Sequence, residues 1–223
     1  MANKVEIMDF NSREDLVSKL ASDLTQYVQE IMETKGYCRM LLSGGNTPKP
    51  VYECFASMIQ SPEKVLVGLV DERFVPLSSD YSNERMISAA LGEGFKMEGM
   101  VANSFDIQDN LVQIRERYKP FFGETDITVL GMGTDGHTAS IFPGDEASDK
   151  IRKSDDVNIF NTMAPVYPEQ RITCSTKMIV RSGVIILLIT GTDKREVLAN
   201  DNKRLPIHDI LFKRPDIKIY YAD

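Results

Sequence analysis

The 223 residues carry 33 acidic against 26 basic side chains, a formal net charge of -7 and a pI near 5.0. That balance excludes a sequence-independent grip on nucleic acid or on an anionic membrane surface, and it leaves anion binding to local positive groups. With 42% hydrophobic residues the chain can bury one core but is too short for two full-sized domains and a linker, so a single domain over 1–223 is expected.

No window approaches the roughly 18 consecutive apolar residues of a membrane span, and the opening MANKVEIMDF lacks the basic-then-apolar pattern of a secretory leader. A cytoplasmic protein is expected. Cys38, Cys54 and Cys174 are odd in number and without CxxC spacing, so they read as small apolar side chains rather than as a disulfide framework or a thiolate metal site.

In chain order, Val5 to Phe10 could form an edge strand. Ser12 to Lys35 starts on a Ser-x-x-Asp capping signal, places Leu16, Leu20, Leu24, Tyr27, Val28 and Ile31 at helical spacing, and stops at Gly36. After this helix, short aliphatic runs alternate with helical segments. Cys38 to Leu42 precedes Pro48 to Ile59, and Val65 to Val70 precedes Ser82 to Leu91. Ile127 to Leu130 follows, then Val184 to Thr190 with Asp193 to Ala199, and last Ile217 to Tyr221. Runs that are continuous rather than alternating suit strands buried on both faces of a mostly parallel sheet. The expected class is α/β, a three-layer Rossmann-like arrangement with a mostly parallel central sheet flanked by helices.

Ligands of such a sheet bind beyond the carboxyl ends of its strands, and polar or glycine-rich clusters follow four of the runs. Ser43-Gly44-Gly45-Asn46-Thr47-Pro48 can bring free amides and a helix start up to an anion, with Thr47 as a possible cap; without a Walker lysine it serves equally as a plain glycine turn. In Asp71-Glu72-Arg73, Arg73 can grip an anion and Asp71 can hydrogen-bond a polyol or orient a base, although a strand end is also where solvated charge collects. Asn83, beside the capping Ser82, is a candidate for the same site.

The third cluster, Gly131-Met132-Gly133-Thr134-Asp135-Gly136-His137, contains a literal GxGxxG. The dinucleotide fingerprint requires an uninterrupted helix next and an acidic residue ending the following strand; Pro143-Gly144 breaks the first condition and Asp155-Asp156 come too early for the second. His137 is the sharper feature, a histidine in a glycine-framed turn after Asp135, suited to a general base at a strand end. The second histidine, His208, lies in a separate apolar helical segment, so no metal is expected. Lys194 and Arg171 each read alone as surface charge; with Arg73 they would give the same sheet edge the cationic cluster that a phosphorylated substrate requires.

SGGNTPKPVY, VDERFVP, the YSN of residues 81 to 83, GMGTDGHTASIFPG, PEQRIT and GTDK, in this order and spacing, resemble the 6-phosphogluconolactonase family, a relative of the glucosamine-6-phosphate deaminases. The blocks run from about Leu41 to Lys194. The resemblance implies hydrolysis of a phosphosugar lactone, 6-phospho-D-glucono-1,5-lactone, to 6-phosphogluconate in the oxidative pentose phosphate pathway, without a cofactor. It implies His137 as the catalytic base, with Asp71 as polar partner of base or substrate. It further implies Gly44, Gly45, Asn46 and Thr47 around the phosphate or nearby sugar oxygens, and Arg73, Arg171 and Lys194 as substrate-binding cations, with Asn83 and Asp135 also on the substrate.

Asn46 stands where that family usually has serine, and Phe74 where it often has tryptophan. In the deaminases the loop resembles GxDGHIAFNEP, with a glutamate that assists the histidine; aligned on His137, that position is Phe142. A deaminase or isomerase is the nearest alternative, and a non-catalytic phosphosugar-binding module is another. A monomer or weak homodimer is expected.

Overall fold

The computed structural model describes residues 7–102, 106–200 and 205–223. Val5 and Glu6 of the expected edge strand lie outside the described residues; its remainder forms β1 (Ile7–Phe10). There follow α1 (Arg13–Lys35), β2 (Cys38–Leu42), α2 (Lys49–Met58), β3 (Val65–Leu69), β4 (Asp71–Arg73), α3 (Asn83–Leu91), β5 (Lys96–Glu98), α4 (Ile107–Arg117), α5 (Lys119–Gly123) and β6 (Ile127–Leu130). The chain continues through α6 (Glu146–Lys153), β7 (Ile159–Met163), β8 (Gln170–Cys174), α7 (Thr176–Val180), β9 (Val184–Thr190), α8 (Thr192–Ala199), α9 (Pro206–Lys213) and β10 (Lys218–Ala222).

The α1 signals act as read. Ser12 Oγ accepts from Asp15 N at 3.0 Å, Gly36 closes the helix in the left-handed region at φ +79°, and Leu16, Leu20, Leu24 and Val28 are buried. Seven strands pair in the order β1-β10-β9-β6-β2-β3-β5, every neighbour parallel. All four residues of β6 are buried, the condition a central strand meets when both sheet faces are covered. Most of the buried apolar residues form one cluster running from Leu16 to Ala222.

Four strands were not anticipated, β5 at the edge of the main sheet and the three of a second, smaller sheet. Asp71-Glu72-Arg73 is not a loop but strand β4, which leaves the main sheet after Val70 and pairs antiparallel with β8, itself paired antiparallel with β7. The junction is tied on both sides, Val70 N to Leu42 O at 2.9 Å and Cys174 N to Val70 O at 2.9 Å. The register sets Arg73 opposite Arg171 and Asp71 opposite Thr173. The small sheet therefore stands over the carboxyl ends of the main strands, with its charged strand turned into the structure. Of the cysteines, Cys38 and Cys174 are buried and Cys54 is partly exposed.

Candidate active site

One cleft of about 200 Å³ opens at the carboxyl ends of β2, β6 and β9 and against β4 and β8. It gathers Gly44, Gly45, Asn46, Thr47, Asp71, Arg73, Asn83, His137, Arg171 and Lys194, so of the candidate residues only Asp135 is not on its wall.

The first wall is the loop after β2. Tyr52, fully buried on α2, donates its hydroxyl to Ser43 O at 2.9 Å and pins the loop's start; Gly45 sits at φ +110°, a conformation suited to glycine. Gly44 is glycine for another reason. A Cβ there would lie 1.9 Å from Asn83 Oδ1, so the missing side chain is what lets Asn83 reach the cleft. Pro48, not Thr47, occupies the cap of α2, and no side chain hydrogen-bonds that helix start. The amides there stay available to an anion.

The second wall is the loop after β6. No helix follows the three glycines until α6, which removes the dinucleotide arrangement. Each glycine has its own environment. Gly136 takes φ +79° under Leu205, a Cβ on Gly133 would lie 2.3 Å from the His137 ring, and a Cβ on Gly131 would meet nothing within 4 Å. Asp135 Oδ1 meets His137 Nδ1 at 2.6 Å and also accepts from His137 N at 3.1 Å. This bond from His137 holds the Asp135 carboxyl below its ordinary value, so the acid stays ionised and Nδ1 carries the proton. In the neutral imidazole this arrangement puts the lone pair on Nε2, on a ring about a third exposed. The Phe142 ring packs 4.9 Å from the imidazole.

Asp135, expected on the substrate, is thus the partner of the histidine. Asp71, expected to serve either base or substrate, lines the cleft with Oδ2 accepting from Ser140 Oγ at 2.5 Å. Sequence spacing could not separate these two acids, because which one reaches His137 depends on where β4 lies.

The third wall carries the cations. Arg73 Nη1 donates to Tyr81 O at 2.7 Å, and Arg171 Nε donates to Pro168 O at 2.7 Å. Burial, then the charge on Arg73, lowers the Arg171 guanidinium from its ordinary value; burial, then Arg13, lowers Lys194. An incoming anion relieves both costs, which is the electrostatic signature of an anion site. Lys194 stands in the first turn of α8, behind Gly191 at φ +91°.

Glu72 is the residue that sequence reasoning missed. Fully buried, its carboxylate accepts from Arg73 N and Asn83 N, both at 2.7 Å, from Glu84 N at 2.8 Å and from Ser82 Oγ at 3.0 Å. It clamps the start of α3 to β4 and so fixes two cleft residues at once. A charged residue between two others at a strand end was the available signal, but it also describes solvated surface.

Residues 11–215 match the model of the glucosamine-6-phosphate isomerases/6-phosphogluconolactonase family. The chain is 32% identical to a 6-phosphogluconolactonase of Caulobacter vibrioides over 98% of both chains, and 30% identical to one of Mesorhizobium japonicum over 96% of this chain and 93% of the relative. It superimposes on the crystal structure of a 6-phosphogluconolactonase from Shewanella baltica with a TM-score of 0.91 at 26% identity, each chain covered completely. The chain belongs to the glucosamine-6-phosphate isomerase/6-phosphogluconolactonase family.

Proposed function

We propose that this chain hydrolyses 6-phospho-D-glucono-1,5-lactone to 6-phosphogluconate. The observation that carries the reading is a histidine with Nδ1 held by Asp135 and Nε2 free, in one cleft with Arg73, Arg171 and Lys194. The cations and the amides of the Gly44-Gly45 loop bind the phosphate, and Asp71 accepts from a sugar hydroxyl.

His137 Nε2 takes a proton from water while the water oxygen bonds to the lactone carbonyl carbon and the carbonyl electron pair moves onto its oxygen. A donor on that oxyanion is worth roughly 3 to 4 kcal/mol in comparable acyl chemistry. The tetrahedral intermediate collapses, the bond from carbon to ring oxygen breaks, and the ring oxygen leaves with the proton returned by His137. The acid product then loses its own proton to solvent. These steps require no cofactor or metal.

The other activity in the family's name is less well supported by these residues. Proton transfer between sugar carbons calls for a second acid beside the histidine, and the position aligned with that glutamate is Phe142, packed on the imidazole. The test is acid release from freshly generated lactone above spontaneous hydrolysis, with glucosamine 6-phosphate run alongside. Lactone turnover with no ammonium release is expected. Ammonium release, or tight product binding without turnover, would replace this reading with a deaminase or a binding module. A cytoplasmic enzyme, monomeric or weakly dimeric, remains part of the same proposal.

A further inference from the structure

Tyr81 and Tyr167 are 49% and 73% exposed, yet their rings meet edge to face with centroids 5.5 Å apart and planes at 89°. So little of either ring is buried that the contact adds little to the stability of the core. Its position suggests another use. Tyr81 lies in the segment between β4 and α3, and Tyr167 in the hairpin between β7 and β8. Each segment supplies one carbonyl to one arginine of the cleft. Tyr81 O receives Arg73 Nη1, and Pro168 O, on the residue after Tyr167, receives Arg171 Nε, both at 2.7 Å.

The two arginines are directly opposed across the β4–β8 pair, so like charges are set side by side and repel until an anion arrives. Each guanidinium donates to one of these carbonyls, Arg171 also standing 5.8 Å from the centroid of the Phe142 ring, and among the described residues neither forms an ion pair with an acid. A movement of either segment would carry its carbonyl away and release its arginine. The segments are closed locally, Ser82 N on Ser79 O at 3.1 Å in one and Ala164 N on Glu169 O at 2.7 Å in the other. The tyrosine pair joins them to each other.

We propose that Tyr81 and Tyr167 form a latch between the two arginine-anchoring segments, and that this latch positions Arg73 and Arg171 for the phosphate of the substrate. The proposal rests on the lactonase reading for its substrate. The tyrosines are positioning residues: they act through the arginines, so the effect belongs in KM and not in kcat.

The experiment is a double-mutant cycle on the full-length protein, with Tyr81→Ala, Tyr167→Ala and the double variant assayed for lactone hydrolysis. An aromatic pair of this kind predicts a rise in KM of about two- to tenfold in each single variant, with kcat unchanged within about twofold. The double variant should be no worse than the poorer single one, because the first substitution already opens the latch. Tyr81→Phe and Tyr167→Phe should keep the wild-type KM, since the rings make the contact. Unchanged KM in the single variants, multiplying effects in the double variant, or Phe variants as impaired as Ala would each overturn the latch. If the wild type does not turn over the lactone, the functional reading fails separately. The same cycle is then read by calorimetry with 6-phosphogluconate, where coupled losses of affinity uphold the latch, and absent binding or independent losses overturn it.

Discussion

The parallel sheet reaches the cleft through loops, whereas the small antiparallel sheet reaches it through strands. His137 and the Gly44-Gly45 turn stand on glycine-framed backbone beyond β6 and β2, with side chains and amides aimed by local turns. Arg73, Arg171 and Asp71 project from paired strands, where register alone fixes each Cα. Loops allow close backbone approach, and the bare Gly133 leaves room for one reactive ring. Strands hold long cations at a set separation despite their repulsion. The division suggests that chemistry belongs to the first region and substrate grip to the second, which kinetics can separate because loss of a transition-state contact lowers kcat and loss of uniform binding raises KM.

The largest effect expected is on the loop side. His137→Ala removes the proton acceptor and should lower kcat about 100-fold or more, with KM little changed. Steady-state kinetics with the lactone in hand check it, and near-normal turnover would end the proposed role of His137. Next come two glycines of one motif. Gly133→Ala forces a methyl group to within 2.3 Å of the imidazole as it now stands, so the ring must move; kcat should fall about tenfold to 100-fold. At Gly131 the added methyl meets open space in the cleft, and any loss should appear in KM with kcat within about twofold. Equal kcat losses at both glycines would mean that the loop acts as a whole and not by making room for His137.

On the strand side, Arg73→Ala should raise KM about tenfold or more, the scale of a charge-assisted hydrogen bond, and leave kcat within a few-fold. Arg73→Lys should recover only part of it, because an ammonium cannot both hold Tyr81 O and present a planar fork to phosphate. A fall in kcat alone would erase the division between the two regions.

How far each region was legible in the sequence follows the same line. Runs such as Val65–Leu69 and Ile127–Leu130 announce themselves because strands buried on both faces must be continuously aliphatic. His137 was visible as one of two histidines, in a glycine-framed turn two positions after Asp135. The small sheet was not. Asp71–Arg73 is three charged residues long, and it becomes a strand only through pairing with Gln170–Cys174 about a hundred positions away. That pairing also decided that Asp71 would face Ser140 and leave His137 to Asp135. Cations at 73, 171 and 194 could be suspected of convergence. The carbonyls that orient two of them depend on backbone positions that residue type does not encode.

The smallest effect tests how the two regions are joined, and it concerns Glu72. Burial pushes its carboxyl up to about 7, against the four donors that favour the charged form. A raised acid keeps its proton in the folded protein between its ordinary value of 4.5 and about 7, where the unfolded chain has released it. The stability contributed by this group is therefore fully present at low pH and is lost as pH rises through about 7. Glu72→Gln cannot titrate, and its amide must oppose some of the same N–H donors, so it should be less stable at every pH. Its deficit against wild type should shrink between about pH 5 and pH 8, by a few degrees of melting temperature on the scale expected for a chain of this size. Thermal melts of both proteins across that range measure the gap. A gap that stays constant across that range would show that the donors at the start of α3 outweigh burial and keep Glu72 ionised, so that a buried charge, rather than a protonated acid, ties the arginine strand to the rest of the cleft.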